Sequence, residues 1–367
     1  MSEADLILYI VVATALAFDF TNGFHDTANV VATSISTRAM APRIAIGFAA
    51  IFNFVGAFIS LEVAATVASD VVDGGAITPT IVFAGLVGAI TWNLITWYFG
   101  LPSSSSHALI GGIVGSAFAA AGADAVIGEG LLGNVLIPAL IAPTVAFVVG
   151  GLGIVICYRV LGRQRPGPVT RGFKLGQIVS GGMLALAHGT NDAQKTMGVI
   201  VLALIANGNL PAEGFDVPVW VIVSAATAIA LGTYSGGWRI IKTMGTRIIR
   251  MDSAQGFSAQ GAGAAVILAS SHFGFPLSTT QVISGGVMGA GAGKRLSAVR
   301  WGVAGNIVTA WLLTLPAAAL IGSATYGLTR LFGTGAVGPV VVTLIGLALV
   351  VAAFARRARQ GSPVPAR

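Results

Sequence analysis

The chain contains few charged residues: only 9% of its 367 residues are Asp, Glu, Lys or Arg. A soluble domain averages about 25%, so this composition excludes a water-soluble globular protein. The mean hydropathy is +0.87, and apolar stretches close to the roughly 20 residues needed to cross a bilayer recur along the chain. They predict an integral membrane protein with apolar segments near 42–62, 79–99, 131–158, 217–237, 299–323 and 336–355.

Several other features are missing. The single Cys157 excludes an intramolecular disulfide. The first five residues lack the cationic start of a signal peptide, so we expect the first apolar run to be retained. The sequence has no zinc-binding spacing, nucleotide-binding glycine loop or serine nucleophile elbow, and we therefore predict neither an enzyme nor a cofactor. The 50 glycines fit close helix packing better than a β-barrel and indicate an all-α polytopic protein.

The net charge of +7 is distributed by region. Basic residues cluster at Arg38 and Arg43; Arg159, Arg163, Arg165, Arg171 and Lys174; Arg239, Lys242, Arg247 and Arg250; Lys294, Arg295 and Arg300; and Arg356, Arg357 and Arg359. Acidic residues cluster elsewhere, at Glu3 and Asp5; Glu62, Asp70 and Asp73; Asp124 and Glu129; and Glu213 and Asp216. This bias indicates membrane topology rather than nucleic-acid binding. It predicts a multi-pass protein of the inner (plasma) membrane, with the N-terminus outside and the C-terminus in the cytoplasm.

Two polar motifs occur twice in this apolar chain. The stretch 21–29 resembles 187–195, and the stretch 101–112 resembles 275–286. Corresponding loops carry opposite charge, which predicts an inverted-topology repeat with about ten to twelve transmembrane segments. A duplication without transport would explain the similarity but not the retention of costly polar groups in both copies. The predicted parts are a first repeat (1–158), a basic cytoplasmic linker (159–174), an inverted second repeat (175–323), and a C-terminal helix with a basic tail (324–367).

A proline followed by hydroxyl residues interrupts an apolar stretch in each half. Proline fits the first turn of a helix, and Ser or Thr caps its free N–H groups. We therefore predict that 101–122 and 275–293 are discontinuous or re-entrant helical hairpins whose N-termini point at a central anion site. The alternative is that the hydroxyls bond within their own helices or pack against neighbours. The hydroxyl residues are Ser103, Ser104, Ser105, Ser106, Ser278, Thr279 and Thr280.

A carboxylate lies in each copy of the first motif. Asp26 and Asn29 share a helix face, and Asp192 and Lys195 occupy the corresponding positions. Lys195 can neutralise Asp192, whereas Asp26 has no such built-in cation. An unpaired buried carboxylate must take up a proton, bind a cation or shift its pKa upward, so we expect the driving ion at Asp26. A protonated structural aspartate is the simpler alternative.

The histidines differ in what stands at the matching position of the other half. His25 corresponds to Asn191 and His107 to Gln281, and these two histidines are best suited to titrate near neutral pH. His188 and His272 have no partner of the same type, and we expect them to be packing or interfacial groups. For Asp19, two helical turns before Asp26, both a place in the coupling pathway and a place near the outer interface remain open.

These motifs resemble the paired signature of the inorganic phosphate transporter (PiT) family, which is close to Gly-Ala-Asn-Asp-Val-Ala-Asn-Ala. The copies here run from Gly23 to Val30 and from Gly189 to Thr196, and the hydroxyl hairpins after Pro102 and Pro276 are also similar to that family. His25 in place of the usual asparagine resembles the bacterial low-affinity permease branch, thought to use protons and metal–phosphate. Gln281 stands where the family usually has histidine, which argues against a simple histidine relay there.

The resemblance implies phosphate bound between hairpins and aspartate helices, a homodimer, and alternating access. We predict import of inorganic phosphate by symport with Na⁺ or H⁺, with metal–phosphate as a further form of the substrate. Candidate phosphate ligands are Ser103, Ser104, Ser105, Ser106, Ser278, Thr279, Thr280, Gln281 and Lys195. Candidate coupling residues are Asp26, Asn29, Asn191, Asp192, His25 and His107, with Na⁺ at Asp26, Asn29 and Asp192. The alternatives are a sulfate or other oxyanion symporter, a passive anion channel and an intramembrane aspartyl protease.

Overall fold

The computed structural model describes residues 2–72, 75–212 and 214–359, which form helices and no β-strand. The helices are α1 (Glu3–Ser36), α2 (Pro42–Gly56), α3 (Glu62–Ser69), α4 (Pro79–Phe99), α5 (Ser105–Ala121), α6 (Gly128–Gly130), α7 (Ile137–Leu161), α8 (Pro166–Ala206), α9 (Val219–Ser235), α10 (Trp238–Lys242), α11 (Ser253–His272), α12 (Thr279–Lys294), α13 (Trp301–Arg330) and α14 (Val337–Arg359). Short 3₁₀ turns are Ala123–Ala125 and Leu296–Ala298, and π-helical turns are Leu131–Leu136 and Thr243–Arg247. Asp73 and Glu213, two of the acidic loop residues named above, lie outside the described residues, as do residues 360–367 of the predicted basic tail.

The all-helical membrane architecture predicted from composition is confirmed. Among the described residues, four helical stretches are long and apolar enough to cross a membrane: α1, α4, the continuous stretch Gly128–Leu161 that contains α6 and α7, and α13. A fifth span results if α9 and the helix that begins at α10, bent by 60° relative to each other, count as one. The total of ten to twelve segments stays a prediction.

Two long helices form the centre of the molecule. Helix α1 has 34 residues and starts with a capping box between Ser2 and Asp5. Helix α8 has 41 residues and starts with Pro166 in its first turn, where the missing proline N–H costs nothing. The second half of the predicted linker 159–174 is therefore helical. Helix α1 packs against α8, α4 and α9, whereas α8 packs against α1, α11 and α2.

Each hydroxyl motif follows a break in the helical path. Helix α4 ends at Phe99, and its C-cap Gly100 has a φ of +66°, a left-handed conformation that glycine adopts without strain. Helix α5 begins at Ser105. In the second half, α11 ends at His272, Gly274 has a φ of +76°, and α12 begins at Thr279. The helix starts are where the sequence predicts them, but Pro102 and Pro276 lie two residues before the N-caps Ser104 and Ser278 and not in the first helical turn.

The new helices are held by close backbone contact. Helix α5 packs between α4 and α13, and α12 packs between α11 and α7. A Cβ atom at Gly112 would lie 2.2 Å from the carbonyl oxygen of Gly85, so glycine is required where α5 meets α4. The buried side chains form two apolar clusters, one around Phe18 and Met197 and the other around Ala28 and Ala187. The polar motifs of α1 and α8 lie between these two clusters.

Candidate functional site

The two motif aspartates come together in the interior. Asp26 and Asp192 are 2% and 0% exposed, and their carboxylate oxygens and a ring nitrogen of His188 all lie within 4.8 Å of one another. The hydroxyl of Thr279 lies 3.4 Å from Asp26 Oδ2 and 3.2 Å from Asp192 Oδ2. The duplicated carboxylates therefore form one site rather than two separate ones.

Asp26 has more partners than its sequence neighbourhood indicates. His25 Nδ1 lies 2.6 Å from Asp26 Oδ1, and the hydroxyls of Ser105 and Thr280 lie 3.2 and 3.3 Å from the same oxygen. The expectation that Asp26 has no built-in partner is wrong. Adjacent residues on a helix normally point in different directions, which is why the sequence did not suggest this contact.

The other edge of the His25 ring, which carries Nε2, points toward the first hydroxyl motif. Its Nε2 atom lies 3.1 Å from Thr96 Oγ1 and 3.4 Å from Ser103 Oγ, and Ser103 donates to Thr96 at 2.8 Å. Ser103 is thus separated from the carboxylates by the imidazole. Thr96, which the sequence reading missed, connects α4 to the site, and its interior position in an apolar helix was the signal for it.

Asp192 is held by two basic side chains of its own helix. Lys195 Nζ lies 2.5 Å from Asp192 Oδ1, and His188 Nε2 lies 3.1 Å from Asp192 Oδ2. The expected neutralisation by Lys195 agrees with this geometry. His188 is a buried neighbour of the site and not only a packing group; its spacing of four residues from Asp192 is the signal that could have revealed it. His272 is exposed.

Lys195 also joins the two hairpins. Its Nζ atom donates to Ser106 Oγ and to the carbonyl oxygen of Leu277, both at 2.6 Å. Ser106 donates to the same Leu277 carbonyl at 3.0 Å. The ammonium group therefore has three oxygen partners, which is the full donor capacity of a lysine, and it lies where the two hairpins meet.

The hydroxyl runs divide into two kinds of residue. Ser104 and Ser278 cap their helices, because their hydroxyls accept hydrogen bonds from the amides of His107 and Gln281 at 3.1 and 3.3 Å. For these two residues the alternative of bonding within their own helices is what the structure shows. The hydroxyls of the two residues that follow each cap face the carboxylates and Lys195: Ser105, Ser106, Thr279 and Thr280.

The backbone amides of these four residues are the first N–H groups of α5 and α12. Within the part of the chain that the structure describes, none of the four donates a hydrogen bond. Free N–H groups at the positive end of a helix dipole attract anions. Two such helix starts meet beside one lysine, which makes this the strongest candidate for an oxyanion site.

The two motif asparagines have different surroundings. Asn29 donates to Thr280 at 2.9 Å and to Thr279 at 3.4 Å, so it belongs to the carboxylate cluster. Asn191 donates to Ser271 Oγ at 2.9 Å and to the carbonyl oxygen of Phe275 at 3.1 Å. Asn191 therefore positions the chain that leads into the second hairpin.

His107 and Gln281 face a different region. Gln281 Nε2 lies 3.4 Å from His107 Nδ1. Both side chains line a mainly apolar cavity of about 790 Å³ between α7, α12 and α13, with Trp311 on its wall. The structure thus places these two candidates against each other. They lie apart from the hydroxyl cluster, the name used below for Ser105, Ser106, Thr279 and Thr280.

Asp19 lies in the interior of the protein. It is 0% exposed, and within the described residues neither carboxylate oxygen has a hydrogen-bond partner. Asn22 and Thr196 are its polar neighbours. A place near the outer interface would leave Asp19 accessible, so burial favours the other alternative from the sequence.

Comparison with known proteins defines the family. The profile of the "Phosphate transporter family" matches residues 22–171 and 162–322. The chain belongs to this family. Proteins named "Probable low-affinity inorganic phosphate transporter" include one from Mycobacterium leprae, 54% identical over 95% of this chain and 83% of its own length. Another, from Bacillus subtilis, is 44% identical over 88% of this chain and 96% of its own length.

A solved structure shares the fold. "The sodium-dependent phosphate transporter" superposes with a TM-score of 0.79 over 89% of this chain and 99% of that one, at 23% identity. The family and the relatives named above are transporters and not enzymes, in agreement with the expectation from the sequence. The family resemblance seen in the motifs is likewise confirmed.

Proposed function

We propose that this family member imports inorganic phosphate by cation symport through alternating access. It acts in the inner membrane as a homodimer, with the N-terminus outside and the C-terminus inside. The names of its relatives support phosphate as the substrate. The observation that carries the proposal is the meeting of two helix N-termini with Lys195 and two carboxylates in the buried centre.

The anion is bound by the hydroxyl cluster. Rotation of a few side chains lets the hydroxyls of Ser105, Ser106, Thr279 and Thr280 and their free amides donate to phosphate oxygens. Lys195, now donating to Ser106 and Leu277, can redirect one N–H to the anion. Donors of this kind recognise tetrahedral oxyanions in general, so sulfate is the competitor that the experiment must exclude.

The charges at the site do not balance when phosphate is bound, and this imbalance is the reason to propose a coupled cation. Asp26 and Asp192 carry two negative charges and Lys195 one positive charge, so a bound phosphate leaves a large negative excess at membrane depth. His25 and His188 each contact one carboxylate and can hold protons. These contacts favour H⁺. Na⁺ at Asp26, Asn29 and Asp192 is the alternative.

Metal–phosphate is a second form of the substrate that one observation favours. Asp26, His188 and Asp192 offer two carboxylate oxygens and an imidazole nitrogen within 4.8 Å of one another. A divalent metal accepts this donor set. The metal is part of the cargo in this proposal.

The packing between helices supports the inverted repeat, and we keep about ten to twelve transmembrane segments as part of the proposal. Helices α1 and α8 carry the two copies of the first motif, and each packs against a helix of the other half: α1 contacts α9, and α8 contacts α2. Helices α5 and α12 carry the two hydroxyl motifs, and they follow the same rule: α5 contacts α13, and α12 contacts α7. A two-fold relation between the halves produces this exchange, and alternating access then moves one half against the other.

The test is labelled phosphate uptake into proteoliposomes under either a pH gradient or a Na⁺ gradient. We expect accumulation against the phosphate gradient with the pH gradient, stimulation by a divalent metal, and little competition by sulfate. Uptake that neither gradient drives would overturn symport, and strong competition by sulfate would identify another oxyanion as the substrate. Asp26→Asn should abolish gradient-driven accumulation.

A further inference from the structure

Asp19 is a buried ionisable side chain that the central site leaves unused. It precedes Asp26 by seven residues on α1, a distance of about 10 Å along the helix axis. It therefore lies between the N-terminal end of α1 and the carboxylate cluster. Unlike Asp26 and Asp192, it has no basic residue in contact within the described ranges. The Thr196 and Asn22 side chains lie close enough to act on it, but neither oxygen accepts a hydrogen bond of ordinary geometry.

An ionised carboxylate in this position is unfavourable. Burying a charge without a partner carries an effective penalty of several kcal/mol, and a group so placed normally becomes neutral. The charged groups that act on Asp19 are Asp192 and Lys195, both on α8, and Lys195 is already bound to Asp192. Helices α4 and α9, which also pack along α1, contain no Asp, Glu, Lys, Arg or His.

The polar neighbours of Asp19 suit a protonated carboxyl group. Asn22 Oδ1 and Thr196 Oγ1 are buried and, within the described residues, also lack hydrogen-bond partners. A carboxylic acid has one O–H donor and one free acceptor oxygen. It can donate to the Asn22 side-chain carbonyl and accept from the Thr196 hydroxyl. One proton on Asp19 thus gives hydrogen bonds to all three side chains.

We propose that Asp19 is a second proton carrier, separate from the His25–Asp26 and His188–Asp192 pairs. The carboxylate takes one proton from water when the N-terminal side of the site is open. It releases that proton to water on the opposite side, which restores the carboxylate, and the empty carrier then returns to take up the next proton. This inference rests on the proposed symport and assigns to it a residue outside the phosphate site.

The test measures protons and phosphate together. Proteoliposomes loaded with a pH-sensitive dye take up labelled phosphate, which yields the number of protons per phosphate. We expect Asp19→Asn, which imitates the permanently protonated form, to transport phosphate with about one proton fewer than the unmodified protein. Asp252→Asn is the matched control, because Asp252 caps α11 and asparagine caps equally well; its ratio should not change.

Three results decide the inference. An unchanged proton ratio in Asp19→Asn would overturn it, and so would loss of labelled Na⁺ uptake with an unchanged proton ratio. If Asp19→Asn does not transport, infrared difference spectra of the purified protein replace the ratio. A protonated carboxyl band that disappears in Asp19→Asn and shifts in Asp19→Glu supports the proposal, and the absence of such a band in the unmodified protein contradicts it.

The proposed function and this inference fail in different ways. Phosphate uptake without proton movement in the unmodified protein would contradict proton symport itself. Proton-coupled uptake whose ratio is the same in Asp19→Asn would leave the symport intact and remove only the role of Asp19.

Discussion

Asp26 and Asp192, on different helices and in different halves of the chain, share one neighbour: the hydroxyl of Thr279 lies 3.4 Å from one carboxylate and 3.2 Å from the other. A hydroxyl has one proton to donate, so it cannot satisfy both carboxylates at once. Two ionised carboxylates this close repel each other, and Lys195 contacts only Asp192. The pair therefore needs a further cation or proton, which is the physical basis for coupling at this site.

Thr279→Val should weaken phosphate uptake. Valine keeps the shape but removes a hydroxyl next to two carboxylates, and a hydrogen bond to a charged group contributes about 1.5–3 kcal/mol. Since about 1.4 kcal/mol is tenfold, we expect the apparent KM for phosphate to rise roughly 10- to 100-fold. Thr279→Ser should recover most of the affinity. Thr227→Val, on an exposed part of α9, is the control. Equal kinetics in the Thr279→Val and Thr227→Val variants would contradict the assignment.

His188→Gln tests a residue for which the sequence predicted only a packing or interfacial role. Loss of the imidazole 3.1 Å from Asp192 removes a group that can hold a proton beside the carboxylate. We expect roughly a tenfold loss of proton-driven uptake, which corresponds to about 1.4 kcal/mol, because the variant removes the ring that lies within ion-pair distance of Asp192. The pH profile of uptake should also change. His272→Gln, at an exposed position, serves as the matched variant, and a similar loss there would argue against a specific role for His188.

The Asp192–Lys195 pair should show strong coupling in stability. Lys195→Met leaves a buried carboxylate without its ammonium partner, and such breaks cost about 3–5 kcal/mol. The double variant Asp192→Asn/Lys195→Met removes both charges and should regain most of the melting temperature in detergent. Phosphate uptake should stay absent in both. A double variant that is less stable than Lys195→Met would show that the pair is not the source of the loss.

Gly23 allows α1 to approach α9. A Cβ atom there would lie 2.4 Å from the carbonyl oxygen of Ile229, so Gly23→Ala must push two backbones apart. We expect a loss of about 1–3 kcal/mol in stability from this overpacking, measured by thermal unfolding. At Gly47 in α2 a Cβ meets nothing within 4 Å. Gly47→Ala should be neutral or slightly stabilising, and equal effects of both variants would refute the steric explanation.

Much of this protein could be predicted from local patterns. The low charge and long apolar runs indicate membrane helices because the bilayer core excludes charge and requires satisfied backbones. Pro102 and Pro276, each followed by hydroxyl residues, predict helix starts because proline and Ser or Thr suit a first helical turn. The duplicated aspartates predict a functional centre because polar groups at this depth are costly. The structure contains the helix starts and brings the aspartates together.

The partners of those aspartates depended on the way the helices cross. His25 contacts the residue next to it, and His188 lies one turn from Asp192; whether such neighbours meet depends on the space that surrounding helices leave for each side chain. Ser104 and Ser278 cap helices, whereas the hydroxyls after them face the carboxylates, a division set by the direction of each new helix. Asp26, which looked unpaired in the sequence, has partners, whereas among the described residues the two oxygens of the buried Asp19 accept no hydrogen bond of ordinary geometry.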